Sequence, residues 1–319
     1  MASMLGLALR DTGLGLRDLT SLVRCADDAG YSSVWAPEVG SRDALFLAGL
    51  YGSITHNVTV GTGVVPLYSR KVVSLALSVA AAAEASDGRF ILGLGTGHRF
   101  STEAWYEARW HNPRDRLRDT VEVLRAILAG QRVEHTGTLS VNGFHLGSTP
   151  PHVPIYIGAL TPSSLRLAGQ IADGVILNWL PPEACEKSAL LVREAAADAG
   201  RSVRVLAYVR TAVVEDPDED HDARTALREQ TYAYLSLPAY AGSARKAGLG
   251  REVDAMSSGN EHATAELVDA LCAWGDSASV ASKLGEFREA GLDEVVVYPV
   301  PFGDDPAGSV LQTIRSVKL

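Results

Sequence analysis

The chain has 319 residues, 46% hydrophobic and 21% charged, with 38 acidic against 29 basic side chains and a net charge of −9. That length buries a large core, as one big α/β domain or two ordinary ones, and the balance of apolar to charged residues is that of a soluble globular chain, not a disordered one. The negative charge and the lack of any long Lys/Arg run give no footprint for nucleic acid or an anionic membrane surface. Cys25, Cys185 and Cys272 lie far apart without CxxC spacing, so neither a disulfide framework nor a cysteine zinc site is expected. MASMLGLALR holds too short an apolar stretch for a signal peptide, and no run is long enough to span a bilayer. A cytoplasmic location is expected.

The first half alternates short apolar runs with longer helical patterns. MLGLAL (4–9) predicts a buried strand, and residues 16–29 an amphipathic helix closed by Gly30. SSVWA (32–36) is a strand, followed by a helix over 44–54; VTVGTGVV (58–65) is a strand, followed by an alanine-rich helix over 72–86. FILGLG (90–95) is the fourth strand, and 114–128 the fourth helix, stopped by Gly130. Four strand–helix units in succession demand parallel pairing with crossover helices.

Residues 131–151 break the rhythm. Thr136-Gly137 and Asn142-Gly143 are turn signals around short alternating segments, which predicts a β-hairpin insertion. The alternation resumes with strands at 154–159, 174–179 and 203–214 and helices at 163–172, 183–199 and 223–237. Residues 238–262, rich in Gly, Ser and Ala, are expected to form a mobile excursion. Helices at 263–274 and 278–290, the strand EVVVYP (294–299) and a helix over 306–317 complete the chain.

Eight strands make a single (β/α)8 TIM barrel spanning residues 1–319, with insertions after strands 4 and 7, or else a doubly wound open sheet. In a barrel the chemistry sits at the strand C-terminal ends. Those ends read Glu38, Gly63-Val64-Val65, Gly95-Thr96-Gly97-His98, Gly158-Ala159-Leu160-Thr161 and Asn178-Trp179. That clustering favours the barrel.

Glu38, just past the second strand, is either a proton donor or acceptor, or else a solvated loop residue or an N-cap partner for the next helix. Gly61 and Gly63 near a strand end mark a bulge, a close approach by a ligand or another backbone, or a barrel corner that bends with no ligand at all. Arg70, opening the next helix where the dipole prefers an anion, is a surface charge unless a bound anion neutralises it. Gly93-Leu94-Gly95-Thr96-Gly97-His98 offers bare N–H groups and the Thr96 hydroxyl to a phosphate, although it matches neither a P-loop nor G-x-G-x-x-G. Thr161 before Pro162 predicts an N-cap, with the free N–H groups beside it as a second anion site. Trp35, Trp105 and Trp179 either wall an aromatic pocket or simply pack. Asp173 reads as a turn residue, and no spaced His/carboxylate set suggests a metal.

Taken in order, Val34-Trp35-Ala36-Pro37-Glu38, the stretch from Val60 to Arg70, the stretch from Ser86 to His98, Ile155-Tyr156-Ile157-Gly158-Ala159 with Leu167-Ala168-Gly169, Ala172-Asp173-Gly174-Val175 and Ala290-Gly291-Leu292-Asp293 resemble the bacterial luciferase-like family of flavin and deazaflavin oxidoreductases. The likeness is to its coenzyme F420-dependent branch, typified by methylene-tetrahydromethanopterin reductase. It implies a non-prolyl cis peptide at Gly63-Val64 backing the deazaflavin ring. Trp35, Thr62, Gly63, Val64 and Arg70, the 95–98 loop and the 158–161 turn would bind the cofactor, and Asn178 and Trp179 would border the substrate. Glu38 and His98 would handle protons. Many relatives place Asp-His after the second strand where this chain has Glu38-Val39, so a relay by that pair does not carry over.

Three functions follow as expectations. The first is hydride transfer between coenzyme F420 and a small organic substrate. The second is an FMN-dependent monooxygenase using O₂, and the third a redox-inactive barrel that binds or remodels a metabolite. The small, apolar faces of the helices over 44–50 and 72–85 suit a homodimer.

Overall fold

Short runs rich in Val, Ile and Leu become strands buried on both faces, as parallel sheets covered by helices require. The computed structural model describes residues 4–10, 13–257 and 262–317. It contains the strands β1 (Met4–Ala8), β2 (Ser33–Ala36), β3 (Thr59–Thr62), β4 (Phe90–Gly95), β5 (Ile155–Gly158), β6 (Gly174–Asn178), β7 (Arg204–Val213) and β8 (Glu294–Pro299). Each pairs in parallel with the next, and β8 returns to β1 with Val297 opposite Leu7. The sheet is therefore a closed eight-stranded barrel, and the open-sheet alternative falls away.

Trp35, Ile91, Tyr156, Ile176, Leu206, Tyr208 and Val296 fill the barrel interior. The Trp35 ring lies 5.8 Å from Tyr156 and 6.4 Å from Tyr208. At the N-terminal end of the strands, buried Glu294 accepts hydrogen bonds from the Ser32 and Ser33 hydroxyls at 2.7 and 2.5 Å. That end is sealed by packing and paired polar groups, which leaves the opposite mouth for chemistry. Asp173 also serves the sealed end: it accepts from the Ile155 N–H at 2.9 Å and pairs with Arg125 and Arg201 at 2.8 Å each.

The helices stack their apolar faces on the barrel. In Leu16–Asp28 the buried apolar side chains are Leu19, Leu22, Val23 and Ala26, and Gly30 follows with φ +82°, the left-handed conformation that ends helices. Asp43 caps Ala44–Ile54 by accepting from the Phe46 N–H at 2.9 Å. Among the described residues no helix is long and apolar enough to cross a membrane.

Four local expectations change. The strand predicted over 58–65 breaks at Gly63-Val64 and resumes as Val65–Pro66, which pairs with Leu94 and Gly95 of β4. A short helix, Arg99–Ala104, follows β4 directly. The helix predicted over 263–274 ends at Leu271, and Cys272–Gly275 forms a parallel strand beside β7. Its cause lies in β7, which runs on past the end of β6 and exposes ladder groups that residues 272–275 pair. Finally, the expected mobile excursion is helical through Pro238–Ala244, a π turn at Arg245–Leu249 and Gly250–Ser257. Ala241, Ala244, Val253 and Met256 pack there against Leu227, Leu235 and Leu267. Alanine's helix propensity and this burial outweigh the glycines. Residues 258–261 of that stretch lie outside the described residues.

Between Leu128 and β5, Val133–Thr136 and Ser140–Phe144 pair as an antiparallel hairpin. Gly137 sits in its turn, and Gly143 (φ +72°) lies inside the second strand.

Candidate active site

The mouth is organised around the break in β3. The Gly63-Val64 peptide is cis, where the resemblance placed it. Thr62 is fully buried, and its hydroxyl accepts from the Gly93 N–H and donates to the Gly93 carbonyl, both at 2.9 Å. Those bonds clamp β3 to β4 where the ladder is interrupted. A Cβ on Gly93 would lie 1.8 Å from the Thr62 carbonyl oxygen, so only glycine allows the approach. Thr62 was expected to touch a cofactor; its hydroxyl is spent on this clamp.

Beyond the break, Val64 turns its side chain between two glycine strand ends, Gly95 of β4 and Gly158 of β5. A Cβ on Gly95 would meet Val64 Cγ2 at 2.6 Å. The absent side chains leave a cleft of about 300 Å³ with Val64 in its lining. The Gly95-Thr96-Gly97-His98 loop forms one wall, and Gly158-Ala159-Leu160-Thr161 with Ser163 and Ser164 another. Asn178, Ala239 and Tyr240 reach it from the far side, and Pro113 and Leu117 from the helix Pro113–Leu128.

Thr161 caps the helix Pro162–Ile171: its hydroxyl accepts from the Ser164 N–H at 3.3 Å, and Ser164 Oγ accepts from the Thr161 N–H at 3.0 Å. This capping box satisfies part of the helix end. Ser163 Oγ and Ser164 Oγ lie 3.2 and 3.0 Å from Thr161 Oγ1, gathering three hydroxyls at the positive end of a helix dipole. His98 faces Tyr240, ring centres 5.9 Å apart, and burial lowers its pKa, so the imidazole is neutral near pH 7.

Glu38 and Arg70 meet each other at the mouth, and Glu38 takes the place of an N-cap partner for the next helix. The Arg70 guanidinium donates to both Glu38 oxygens at 2.8 Å and reaches Asp43 at 2.5 Å. Glu38 also accepts from the Ala44 N–H at 3.2 Å. Burial works against the Arg70 charge, but hydrogen bonds to Glu38 and Asp43 outweigh it and raise the pKa. The anion beside Arg70 is Glu38 itself, with both carboxylate oxygens accepting from the guanidinium. The two tryptophans are corrected as well. Trp35 is fully buried beneath the break, where a Cβ on Gly61 would strike its ring at 2.5 Å. Trp179 is 2% exposed and packs in the apolar cluster that holds Leu227, Leu235 and Leu267, outside the cleft.

One further residue joins this site. Arg210, 2% exposed on β7, donates to Asn178 Oδ1 at 2.6 Å and to Gln230 Oε1 at 3.1 Å. Its guanidinium lies 3.9 Å from the Tyr298 ring centre and 4.4 Å from that of Trp179. Asn178 Nδ2 in turn donates to the Tyr240 hydroxyl at 3.2 Å, so a buried cation is wired to the cleft wall. Trp179 holds φ +56°, an outlier for a bulky side chain that the ring stack helps to hold. Of the two arginines in the apolar run VRVLAYVRTAVV, Arg210 in its interior is the signal for this cage, and the strand pattern hides it.

This geometry matches a known family. The family model for luciferase-like monooxygenases matches residues 4–294. The chain belongs to the luciferase-like monooxygenase family. The 5,10-methylenetetrahydromethanopterin reductase of Archaeoglobus fulgidus is 27% identical over 312 residues, covering 92% of each chain. A putative coenzyme F420-dependent oxidoreductase of Mycobacterium tuberculosis is 28% identical over 312 residues, covering 86% of this chain and 89% of that one. In fold, the structure of an F420-dependent secondary alcohol dehydrogenase in complex with an F420–acetone adduct superposes with a TM-score of 0.79 at 18% identity, covering all of both chains. The luciferase-like assignment agrees with the closed barrel and the cis peptide after β3.

Proposed function

We propose that the protein is a coenzyme F420-dependent oxidoreductase that transfers a hydride between the deazaflavin and a small organic substrate at the barrel mouth. The reading rests on one observation above all. Val64 forms an apolar floor flanked by glycines, with a hydroxyl-rich helix N-terminus and a glycine loop at the rim. A flat ring fits against Val64 because Gly95 and Gly158 leave room beside it. A phosphate on the ring's side chain fits Thr161, Ser163, Ser164 and the N–H groups of the 95–98 loop. The full-length likeness to a putative F420-dependent oxidoreductase supports the same cofactor.

When bound, the deazaflavin supplies the hydride chemistry; the protein's part is orientation, dryness and proton handling. Val64, held by the cis peptide and by Gly95 and Gly158, supports one face of the ring. Neutral His98 is the proton-handling residue, because its ring borders the cleft while Glu38 has both oxygens tied to Arg70. Glu38 and Arg70 instead hold the loops after β2 and β3 in place. Asn178, oriented by Arg210, presents its amide to the substrate side. Two copies pair through the helices Ala44–Ile54 and Val72–Ala85.

The test is a fluorescence titration of apoprotein with F420 and, separately, FMN. Micromolar or tighter binding of F420 with little affinity for FMN is the expected result. Preference for FMN would replace the reading with an oxygen-using monooxygenase, and binding of neither would end both redox readings.

A further inference from the structure

A second and larger cleft opens beside the mouth, and the function just proposed does not use it. It has a volume of about 680 Å³ and lies between Tyr68, the segment over 106–112 and the hairpin turn at Gly137 and Thr138. That volume suits a chain of many atoms, not a lone ion. Its lining is basic. Lys71, Arg109 and Arg116 all face it, and among the described residues none of the three has an ion-pair partner. Arg70 also lines it but is engaged by Glu38 and Asp43. A single carboxylate, Glu107, stands among the lining residues.

Arg116 is fixed from one side only: it donates to the Thr138 carbonyl, while its Nε is buried without a partner. The helix Pro113–Leu128 starts at this cleft. Its N-cap, Asn112, has φ +43° and makes no side-chain capping bond, so the first-turn N–H groups lack that acceptor. Three like charges around a concave wall repel one another and concentrate anions. Such an arrangement is stabilised when a polyanion fills it.

The cleft neighbours the mouth. Arg70 forms part of its wall and grips Glu38 at the end of β2. The start of the Pro113–Leu128 helix separates the two clefts, with Pro113 and Leu117 in the smaller and Asn112 and Arg116 in the larger. We propose that this basic cleft binds a carboxylate- or phosphate-bearing arm of a molecule seated in the mouth. The arm comes either from the cofactor's own anionic side chain or from an anionic substrate. Assigning it to the cofactor rests on the F420 reading; the anion site itself does not.

Calorimetric titration of the apoprotein with tri-γ-glutamate and with pyrophosphate probes the site directly. Lys71→Ala combined with Arg109→Ala is the main variant, since both side chains are exposed and their loss leaves the core intact. Arg116→Gln is the second, and unchanged thermal unfolding serves as the folding check. Loss of two charge-assisted contacts should weaken the wild-type affinity for a bound probe by about tenfold or more, and added salt should do the same.

Fluorescence titration then separates the sources. If the cofactor supplies the arm, the double variant binds whole F420 about tenfold more weakly and its tail-free deazariboflavin core unchanged. If the substrate supplies it, both affinities hold while probe binding is lost. The proposal fails if a probe binds wild type and double variant equally. It also fails if no probe binds and whole-F420 affinity is unchanged in the variants. Probe binding lost in the variants, with no F420 bound by wild type, would keep the anion site and remove the redox reading.

Discussion

The Arg210 guanidinium donates to Asn178 Oδ1 at 2.6 Å, and among the described residues it forms no ion pair. Its charge is spread over amide oxygens and the faces of Tyr298 and Trp179. Arg210→Met keeps much of the volume but leaves Asn178 Oδ1 and Gln230 Oε1 without their donor. Each orphaned buried acceptor costs about 1–3 kcal/mol, so denaturant unfolding should report a loss of a few kcal/mol in total. Arg210→Lys, which cannot fork or stack as well, should fall between. Wild-type stability in both variants would show that the cage does not hold the cleft wall.

The floor of the cleft predicts a coupled pair. Gly95→Ala drives a methyl to within 2.6 Å of Val64 Cγ2, while Val64 Cβ would lie at 3.6 Å, an ordinary contact. The single variant should push Val64 into the ring's space and weaken F420 binding about tenfold. Val64→Ala in the same chain removes the clashing atom and should recover most of that loss. The measurement is a double-mutant cycle on the dissociation constant, with an expected coupling of about 0.5–3 kcal/mol. Additive losses would mean that Gly95→Ala does not act through Val64.

Periodicity carried the barrel because its strands are buried on both faces and its helices on one, which writes the pattern into the residues. Val72 to Ala85 and Glu294 to Pro299 follow that pattern almost residue for residue. Cys272–Gly275 escaped because its strand state comes from the overhang of β7, a partner sixty residues away. In the site, the glycines were legible because close backbone approach demands them. Roles that depend on which partner a side chain meets were not. Glu38 and Arg70, 32 positions apart, give no local sign of a bidentate pair. Nor does Thr62 show in sequence that its hydroxyl clamps Gly93.

His98 sets a pH dependence. Burial lowers its pKa from 6.5, so the native state holds it neutral in a range where the unfolded chain is protonated. Between pH 6.5 and the lower native value the unfolded state binds more protons, and stability falls as pH drops through that window. Unfolding of His98→Gln should lack this decline. If His98 also accepts a proton in turnover, kcat/KM should fall on the acid side below pH 6.5, and the glutamine variant should lose both that limb and most of its rate. An unchanged profile in His98→Gln would pass the proton role to another group.

The outer face of two helices predicts the assembly. Phe46 is 58% exposed and lines a groove of about 470 Å³ with Leu45, Leu50 and Ala85, while Leu77, on the second of the two helices, is 53% exposed. Neither Phe46 nor Leu77 lines either cleft at the mouth. Exposed apolar side chains gathered on small-residue helices favour a partner surface, and a two-fold pairing lets the same patch cover itself. Sedimentation velocity of the wild type should give twice the chain mass. Phe46→Asp with Leu77→Asp places a charge on the exposed face of each helix and should yield monomers, with F420 affinity preserved. A wild type that sediments as a monomer at micromolar concentration would remove the dimer, and a charged variant that still dimerises would move the interface to another face.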